Sequence, residues 1–389
     1  MRVVVVAEYY PRAADPVLGV WAHRQALAAR DAGADVRVLV LHRPVPSRAA
    51  LRSGDPRALA APLRQPLRTE LDGLQVDYVP FVAPPRPRSY GSWGAWAAPS
   101  LAVALRRLRR RFPYDLVHAH YAAPAGDAVR RARPGAPVVI SVHGGDVLSV
   151  ARRSPAGEQA VRGALREARL VLANSGAIGD LVRRLGGRRV RVVHLGTDLP
   201  PPAPPDAGEP RLVTVAHLVA RKRHADVLRA LWLMRESHPQ LTWTVVGDGP
   251  ERPQLARLAG ELGLIHRVRF AGALAHADAV AAGREGGVFV LPSVDEAFGV
   301  AYVEAMAGAV PAIGCRGEPG PEEIAASGGG IRLVPPGDPE ALAAELRGLL
   351  DEPAWRRELG DAARATVEAA FTWEACGRAT VAAYEEAVR

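Results

Sequence analysis

LPSVDEAFGVAYVEAM occupies residues 291–306. The apolar run Val288 to Leu291 stops at Pro292, and a short polar loop follows. Gly299 then opens a helical pattern with Val300, Val303 and Met306 on one face. A buried strand, a loop and an amphipathic helix in that order form one repeat of a parallel α/β sheet. The loop carries Glu296, and Glu304 follows about one and a half turns into the helix. A loop at a helix N-terminus offers free N–H groups and a positive dipole end, which suit a phosphate. Carboxylates beside it can accept hydrogen bonds from sugar hydroxyls. Two glutamates at this spacing also arise by chance on an amphipathic surface helix, so the rest of the chain has to decide.

The same order recurs on both sides of the stretch. Upstream, Leu212 to Ala216 reads as a strand, followed by a loop carrying Lys222 and a helical pattern. Thr242 to Val246 is the next strand and ends in Gly247-Asp248-Gly249-Pro250; Val268 to Phe270 follows. Downstream, Pro311 to Gly314 and Ile331 to Val334 are further strands, with helices over 338–350, 354–370 and 373–388.

The first half repeats the pattern independently. Val3 to Val6, Val36 to Leu41, Leu116 to Val117, Val138 to Val142, Leu170 to Ala173 and Val190 to Val193 are short β-branched runs. The loop after the first holds Gly19 ahead of a helix from about Trp21 to Ala32. No G-x-G-x-x-G occurs there, which disfavours a dinucleotide cofactor. His118 and His120 end one strand, so both rings point to one face. They have no third metal ligand nearby in sequence, and Asp-x-Asp is absent. His143-Gly144-Gly145-Asp146 ends another strand, where the glycines allow close approach of a backbone. Between the halves, LPPPAPPDAGEP carries six prolines and reads as a stiff linker. The reading is therefore α/β, with domains over 1–195 and 211–372, a linker over 196–210, and a last helix over 373–389.

Composition narrows the function. The chain has 389 residues, enough for two cores, and two cysteines, Cys315 and Cys376, in no metal or redox spacing. No run approaches the length of a membrane span and the start does not read as a signal peptide, so a cytoplasmic location is expected. Residues 1–195 hold 31 arginines against 14 acidic residues, a charge of +17; the remainder carries −8. A basic half suits an anionic acceptor, a membrane surface or nucleic acid, with Arg106, Arg107, Arg109, Arg110 and Arg111 as the densest patch; arginine drift in a biased genome explains it as readily. Of 50 basic residues only Lys222 is lysine. In such a chain a lone lysine points to a compact charge approaching a phosphate.

Glu296-x7-Glu304 with Phe298-Gly299 between, the Lys222 loop, GDGPE, RVRFAG, AVPAIG, PEEI and VPPGDPEAL, in this order, resemble the retaining GT-B glycosyltransferases of family 4. The resemblance covers nearly the whole chain. It implies two Rossmann-like domains facing each other across a cleft, with the last helix, 373–389, crossing back to the first domain, and metal-independent transfer of a hexosyl group from a nucleotide-sugar to an acceptor hydroxyl with retention. It implies catalytic roles for His120, Lys222 and Glu296. It implies donor binding by Gly19, Arg221, Lys222, Gly247, Phe270, Glu296, Phe298, Gly299 and Glu304, with Glu304 on the ribose and the base near Phe270. His143 and Asp146 would lie on the acceptor side. The acceptor would be a sugar, a lipid-linked sugar or a small molecule, in cell-envelope or natural-product glycosylation; no nucleic acid and no cofactor are expected.

One position departs from the family: Ala216-His217 stands where Gly-Arg is usual. That arginine normally shares the phosphate with the lysine, and Arg221, Arg223 or a protonated His217 are the substitutes available. The departure keeps two rivals open, a non-catalytic sugar-nucleotide-binding subunit and a nucleotide-sugar epimerase of the same fold.

Overall fold

A computed structural model describes residues 1–46, 48–86, 89–201 and 211–389. The chain divides into two compact units, Met1–His194 together with Trp373–Arg389, and Leu195–Thr372. Most of the expected linker, 202–210, lies outside the described residues. Its start belongs to the second unit, where the Thr197 N–H donates to the Phe371 carbonyl at 2.9 Å.

In the first unit the strands are β1 (Arg2–Ala7), β2 (Asp35–His42), β3 (Arg68–Leu71), β4 (Leu74–Pro80), β5 (Leu116–His120), β6 (Val138–Val142), β7 (Leu170–Ala173) and β8 (Val190–Val192). They pair in the order β3-β4-β2-β1-β5-β6-β7-β8, all parallel except β3 on β4. Helices cover both faces, which is why the central strands are largely apolar and buried along their length rather than alternating. Val3, Val5, Val38, Val76, Leu116 and Val139 form the core with Cys376, Ala383 and Tyr384 of the last helix, Trp373–Val388.

The second unit holds β9 (Arg211–Val215), β10 (Thr242–Val246), β11 (Val268–Gly272), β12 (Val288–Val290), β13 (Ala312–Cys315) and β14 (Ile331–Val334), ordered β11-β10-β9-β12-β13-β14 and parallel throughout. Its core is Leu212, Val227, Leu231, Trp243, Val245, Val290, Ile313 and Leu346. Trp243 is fully buried because its indole N–H reaches the Thr214 hydroxyl at 3.0 Å.

Both sheets are doubly wound, and each has one point where the strand order reverses: between β1 and β5 in the first unit, between β9 and β12 in the second. Ligands of such sheets bind beyond the carboxyl ends of the strands at that point. Two local features differ from the sequence reading. The helix expected from Ser100 begins at Trp93 and keeps Pro99 inside it on an exposed position. The hairpin strand β3 was not expected, since Arg68-Thr-Glu-Leu71 is exposed and has no apolar run.

Candidate active site

The loops after β9 and β12 meet at the switch point of the second unit. Lys222 sits in the first, at the end of a short 3-10 turn, Ala220–Lys222. Glu296 sits in the second. Both are buried, and their side chains form an ion pair, Lys222 Nζ donating to Glu296 Oε2. The same oxygen accepts from the Ser293 hydroxyl at 2.8 Å and lies 3.7 Å from the exposed Arg221 guanidinium. The Glu318 carboxylate accepts from the Glu296 N–H at 2.9 Å and fixes the loop from below. Burial pushes the Glu296 carboxyl up, but Lys222, Arg221 and the bonds from Lys222 and Ser293 outweigh it and hold it below the ordinary range. Burial, with Arg221, draws the Lys222 ammonium down, and Glu296 opposes that. The sequence marks both residues; the structure joins them across 74 positions.

Apart from Gly19, the other residues expected around the donor lie in the same unit as this pair. Gly299 begins the helix Val300–Met306 with φ +82°, and Phe298 is buried against Phe371, ring centroids 5.5 Å apart. A Cβ on Gly320 would lie 2.1 Å from the Phe298 carbonyl oxygen, so the next helix can close on this loop only through a glycine. Glu304 faces the His276 ring nitrogen at 3.7 Å, and its carbonyl accepts from Arg284 at 2.9 Å. Gly247 ends β10 against the Ala216 carbonyl, and Phe270 is half-buried in β11. His217 is exposed and donates from Nδ1 to the Asp248 carbonyl at 2.7 Å.

The first unit's switch point is lined by rings. His120 Nδ1 and His143 Nε2 are 3.0 Å apart, and the two rings stack at 5.2 Å. Tyr121 stacks on His143 at 5.4 Å, and Tyr9 lies 5.1 Å from Tyr121. His118 lies 4.5 Å from His120 on the same face, between Ser141 Oγ at 2.8 Å and Tyr384 Oη at 2.7 Å. Burial, aided by His143, pushes His118 down to about 3; burial alone takes His143 to about 3, and His120 falls well below its usual value for the same reason. All three are therefore neutral near pH 7. Asp146 is fully buried, and burial lifts it to about 6 against the backbone N–H groups it accepts from, Ala122 among them at 2.9 Å. Gly19 precedes the helix Val20–Asp31 with φ +65°, where a Cβ would meet the Tyr9 carbonyl carbon at 2.2 Å. Packing against Tyr9 accounts for this glycine without a ligand.

The arginine patch is partly spent on structure. Arg109 donates to the Pro134 and Gly135 carbonyls, Arg111 to Asp77, and Arg106 to Ala102; Arg107 and Arg110 are exposed. Among the described residues no group of three or more His, Cys, Asp or Glu side chains is placed to hold a metal ion, and no helix is long and apolar enough to cross a membrane.

Two family models match in tandem. The model described as glycosyltransferase family 4 covers residues 18–200, and that of glycosyl transferases group 1 covers residues 198–366. The chain belongs to the group 1 glycosyltransferases of the GT-B fold. Among its relatives is the MMP alpha-(1->4)-mannosyltransferase of Mycolicibacterium hassiacum, 28% identical over 92% of this chain and 88% of that protein. Sucrose-phosphate synthase of Thermosynechococcus elongatus has the same fold, with a TM-score of 0.80 and 22% identity over 99% of this chain and 98% of that one. So does Anabaena HepE, solved in complex with UDP-glucose, with a TM-score of 0.72 and 20% identity over 99% of each chain.

Within this glycosyltransferase, three side chains join the Glu296 cluster that the sequence reading left out. Ser293 bridges Glu296 to the Tyr302 hydroxyl, 3.3 Å away; Tyr302 donates to the Leu291 carbonyl; and Glu318 holds the loop backbone. Their only sequence signal is proximity to Glu296 in one case and to the PEEI segment in another. In the first unit, Glu8 follows β1 and is buried, accepting from Arg86 at 3.1 Å and from the Tyr90 hydroxyl at 3.0 Å.

Proposed function

We propose that this glycosyltransferase moves a hexosyl group from a nucleotide-sugar donor to an acceptor hydroxyl, with retention of configuration and without a metal ion. The observation that carries the reading is the buried Lys222–Glu296 pair at the second unit's switch point. A nucleotide-sugar leaves a diphosphate on which negative charge grows as the glycosidic bond breaks, and fixed cations stabilise that charge. Lys222 is the chain's only lysine, buried beside the exposed Arg221. Without donor, Glu296 neutralises the ammonium. With donor, the diphosphate competes for Lys222 and Arg221, and Glu296 is released to the sugar hydroxyls. The C1–O bond to the diphosphate breaks, the acceptor oxygen bonds to C1 on the same face, and its proton passes to the leaving phosphate oxygen.

Glu304 takes the ribose, and the base lies near Phe270. The first unit's neutral His120 and His143 supply hydrogen bonds to sugar hydroxyls without adding charge, and the buried Asp146 holds the acceptor-side loop backbone that carries His143. HepE's complex with UDP-glucose and the mannosyl transfer named for the mycobacterial relative support the donor class. The acceptor is a sugar, a lipid-linked sugar or a small molecule. A donor of this class places the reaction in the cytoplasm.

The test is a thermal-shift panel of UDP-, GDP-, ADP- and dTDP-sugars, with and without EDTA, on wild type and Lys222→Ala. We expect one donor to raise Tm by a few degrees, indifferent to EDTA, and the shift to vanish in Lys222→Ala. No shift with any donor overturns the reading in favour of a non-catalytic subunit. A shift that EDTA removes overturns the metal-free part.

A further inference from the structure

The four most exposed large hydrophobic side chains among the described residues are Val82 (75%), Leu63 (73%), Leu51 (60%) and Leu67 (59%). They come from one neighbourhood. Three lie in the connection between β2 and β3, and the fourth lies two residues past the end of β4. The connection reads RAALRSGDPRALAAPLRQPLR over 48–68, with five arginines and one acidic residue, Asp55. Asp55 is committed to its own backbone: it caps the short helix Pro56–Ala60, accepting from the N–H groups of Arg57 at 3.0 Å and Ala58 at 3.3 Å. Arg52, Arg57 and Arg64 are exposed and make no ion pair with any described residue. Arg68 is held by Asp77 at 2.6 Å.

The segment is anchored in place. His42 Nε2, at the end of β2, donates to the Pro62 carbonyl at 2.9 Å. The buried Gln65 side chain accepts from the Ala13 N–H, in the loop after β1, at 2.9 Å. Leu63 thus sits between two fixed points and is held out into solvent. Val82, after β4, stands at the same end, the carboxyl end of the parallel strands, where His120 and His143 also lie.

We propose that this face, Leu51, Leu63, Leu67 and Val82 with Arg52, Arg57 and Arg64, docks on an anionic lipid bilayer. Exposed apolar side chains on short helices and loops, with unpaired guanidinium groups among them, fit an interface whose interior takes leucine and whose headgroups carry negative charge. The arginines act over about one Debye length, ~8 Å at physiological salt, and the leucines act only on insertion, so the two signals reinforce each other. The short helices, Arg48–Ser53 and Pro56–Ala60, form no continuous apolar stripe of the kind that seats a partner helix. The charge is one-signed, which selects lipid phosphate over a second copy of the same basic face. The surface differs from the arginine-rich end of the helix Trp93–Arg111, and the inference does not depend on the chemistry proposed above, because it is read by binding alone.

The test is co-sedimentation of the full chain with vesicles of phosphatidylcholine alone or of equimolar phosphatidylcholine and phosphatidylglycerol. Wild type is expected to bind the mixed vesicles and to release at high salt. Leu51→Ser/Leu63→Ser/Leu67→Ser/Val82→Ser and Arg52→Glu/Arg57→Glu/Arg64→Glu are each expected to lower the partition coefficient by about tenfold or more. Arg107→Glu/Arg110→Glu should change it by less than about threefold. Every substituted side chain is exposed, so thermal midpoints should match wild type; a dye on Leu63→Cys gives an independent reading, shifting to the blue on mixed vesicles only. No binding to mixed vesicles, or binding lost only in Arg107→Glu/Arg110→Glu, overturns the proposal. So does a wild-type dimer that the serine variant converts to monomer, since the face is then a contact between copies.

Discussion

The two switch points solve one problem in opposite ways. Each is a crevice at the carboxyl ends of two parallel strands, and each buries titratable groups there. Between β9 and β12 the groups stay charged and cancel, Lys222 against Glu296. Between β1 and β5 the three histidines, pushed down by burial, stay neutral near pH 7, while Asp146, lifted to about 6, titrates just below it. A charged pair can exchange its partner for a diphosphate, whereas a neutral cluster offers hydrogen bonds and ring faces. On the function proposed above, the same topology serves an anion site in one unit and a hydroxyl site in the other, and the two should fail differently when perturbed.

The largest expected difference follows from removing one member of the charged pair. Lys222→Ala leaves Glu296 buried without its counter-ion, which costs about 3–5 kcal/mol of unfolding free energy. It should also lower kcat/KM by about 10²–10³ with the donor selected by thermal shift. Lys222→Ala/Glu296→Gln removes the orphaned charge and should regain most of the stability while staying inactive. Urea unfolding alongside initial rates checks both halves; if the double variant is no more stable than the single, the pair is not what holds the loops together. On activity alone, Glu296→Ala should lower turnover more than nucleotide affinity, and Glu304→Ala should do the reverse.

The second difference is in pH. A histidine whose folded value is depressed favours the neutral form, so the unfolded chain binds more protons as pH falls below its ordinary value of about 6.5. His118 and His143 should each remove up to about 1.4 kcal/mol per pH unit from there down towards about 3, and His120 acts in the same direction. Asp146 acts in the opposite sense: its raised value gives stability that is present at low pH and lost as pH climbs through about 6. One carboxyl offsets only part of three imidazoles. Glu296, held below the usual range, contributes stability above the ordinary carboxylate value of about 4.3 and loses it only below that. Hydrogen exchange should therefore show β1, β5 and β6 losing protection between pH 6.5 and 5, before β9 and β12. The reverse order breaks the comparison.

Both units also depend on a glycine at a close approach. Gly320→Ala puts a methyl group against the Phe298 carbonyl, and Gly19→Ala puts one against Tyr9 at a positive φ. Each should cost about 1–3 kcal/mol in urea unfolding. The Gly320 variant should also lower activity, because the shifted loop carries Glu296. A Gly320 variant with a wild-type rate would show that the loop's position is not critical.

Much of this architecture was legible because parallel strands covered on both faces are continuous apolar runs. Val138–Val142, Leu170–Ala173, Thr242–Val246 and Ile331–Val334 stand where the apolar pattern puts them. What escaped had no such pattern. β3 is an exposed antiparallel edge, and the helix Trp93–Arg111 runs through a proline that sequence reads as a boundary. The site was legible as a set of candidates: the lone lysine and the spaced glutamates could be marked from composition and spacing. That Lys222 and Glu296 are each other's partner could not, because pairing across 74 residues depends on which strands adjoin. Ser293, Tyr302 and Glu318 carry no signal except their distance from Glu296.

The smallest expected effect concerns which cation replaces the arginine usual in the family where His217 stands. His217 spends its Nδ1 on the Asp248 carbonyl, while Arg221 lies 3.7 Å from the Glu296 oxygen that also holds Lys222. Arg221 is therefore the group placed to share a phosphate with the lysine. Arg221→Ala should lower kcat/KM about tenfold or more, the loss of one partly exposed charge from the transition state. His217→Arg should change it less than about threefold, since a second guanidinium adds little where one already serves. Should His217→Arg raise the rate tenfold while Arg221→Ala leaves it unchanged, the phosphate site lacks its second cation, and the charged switch point is a weaker anion site than the Lys222–Glu296 pair suggests.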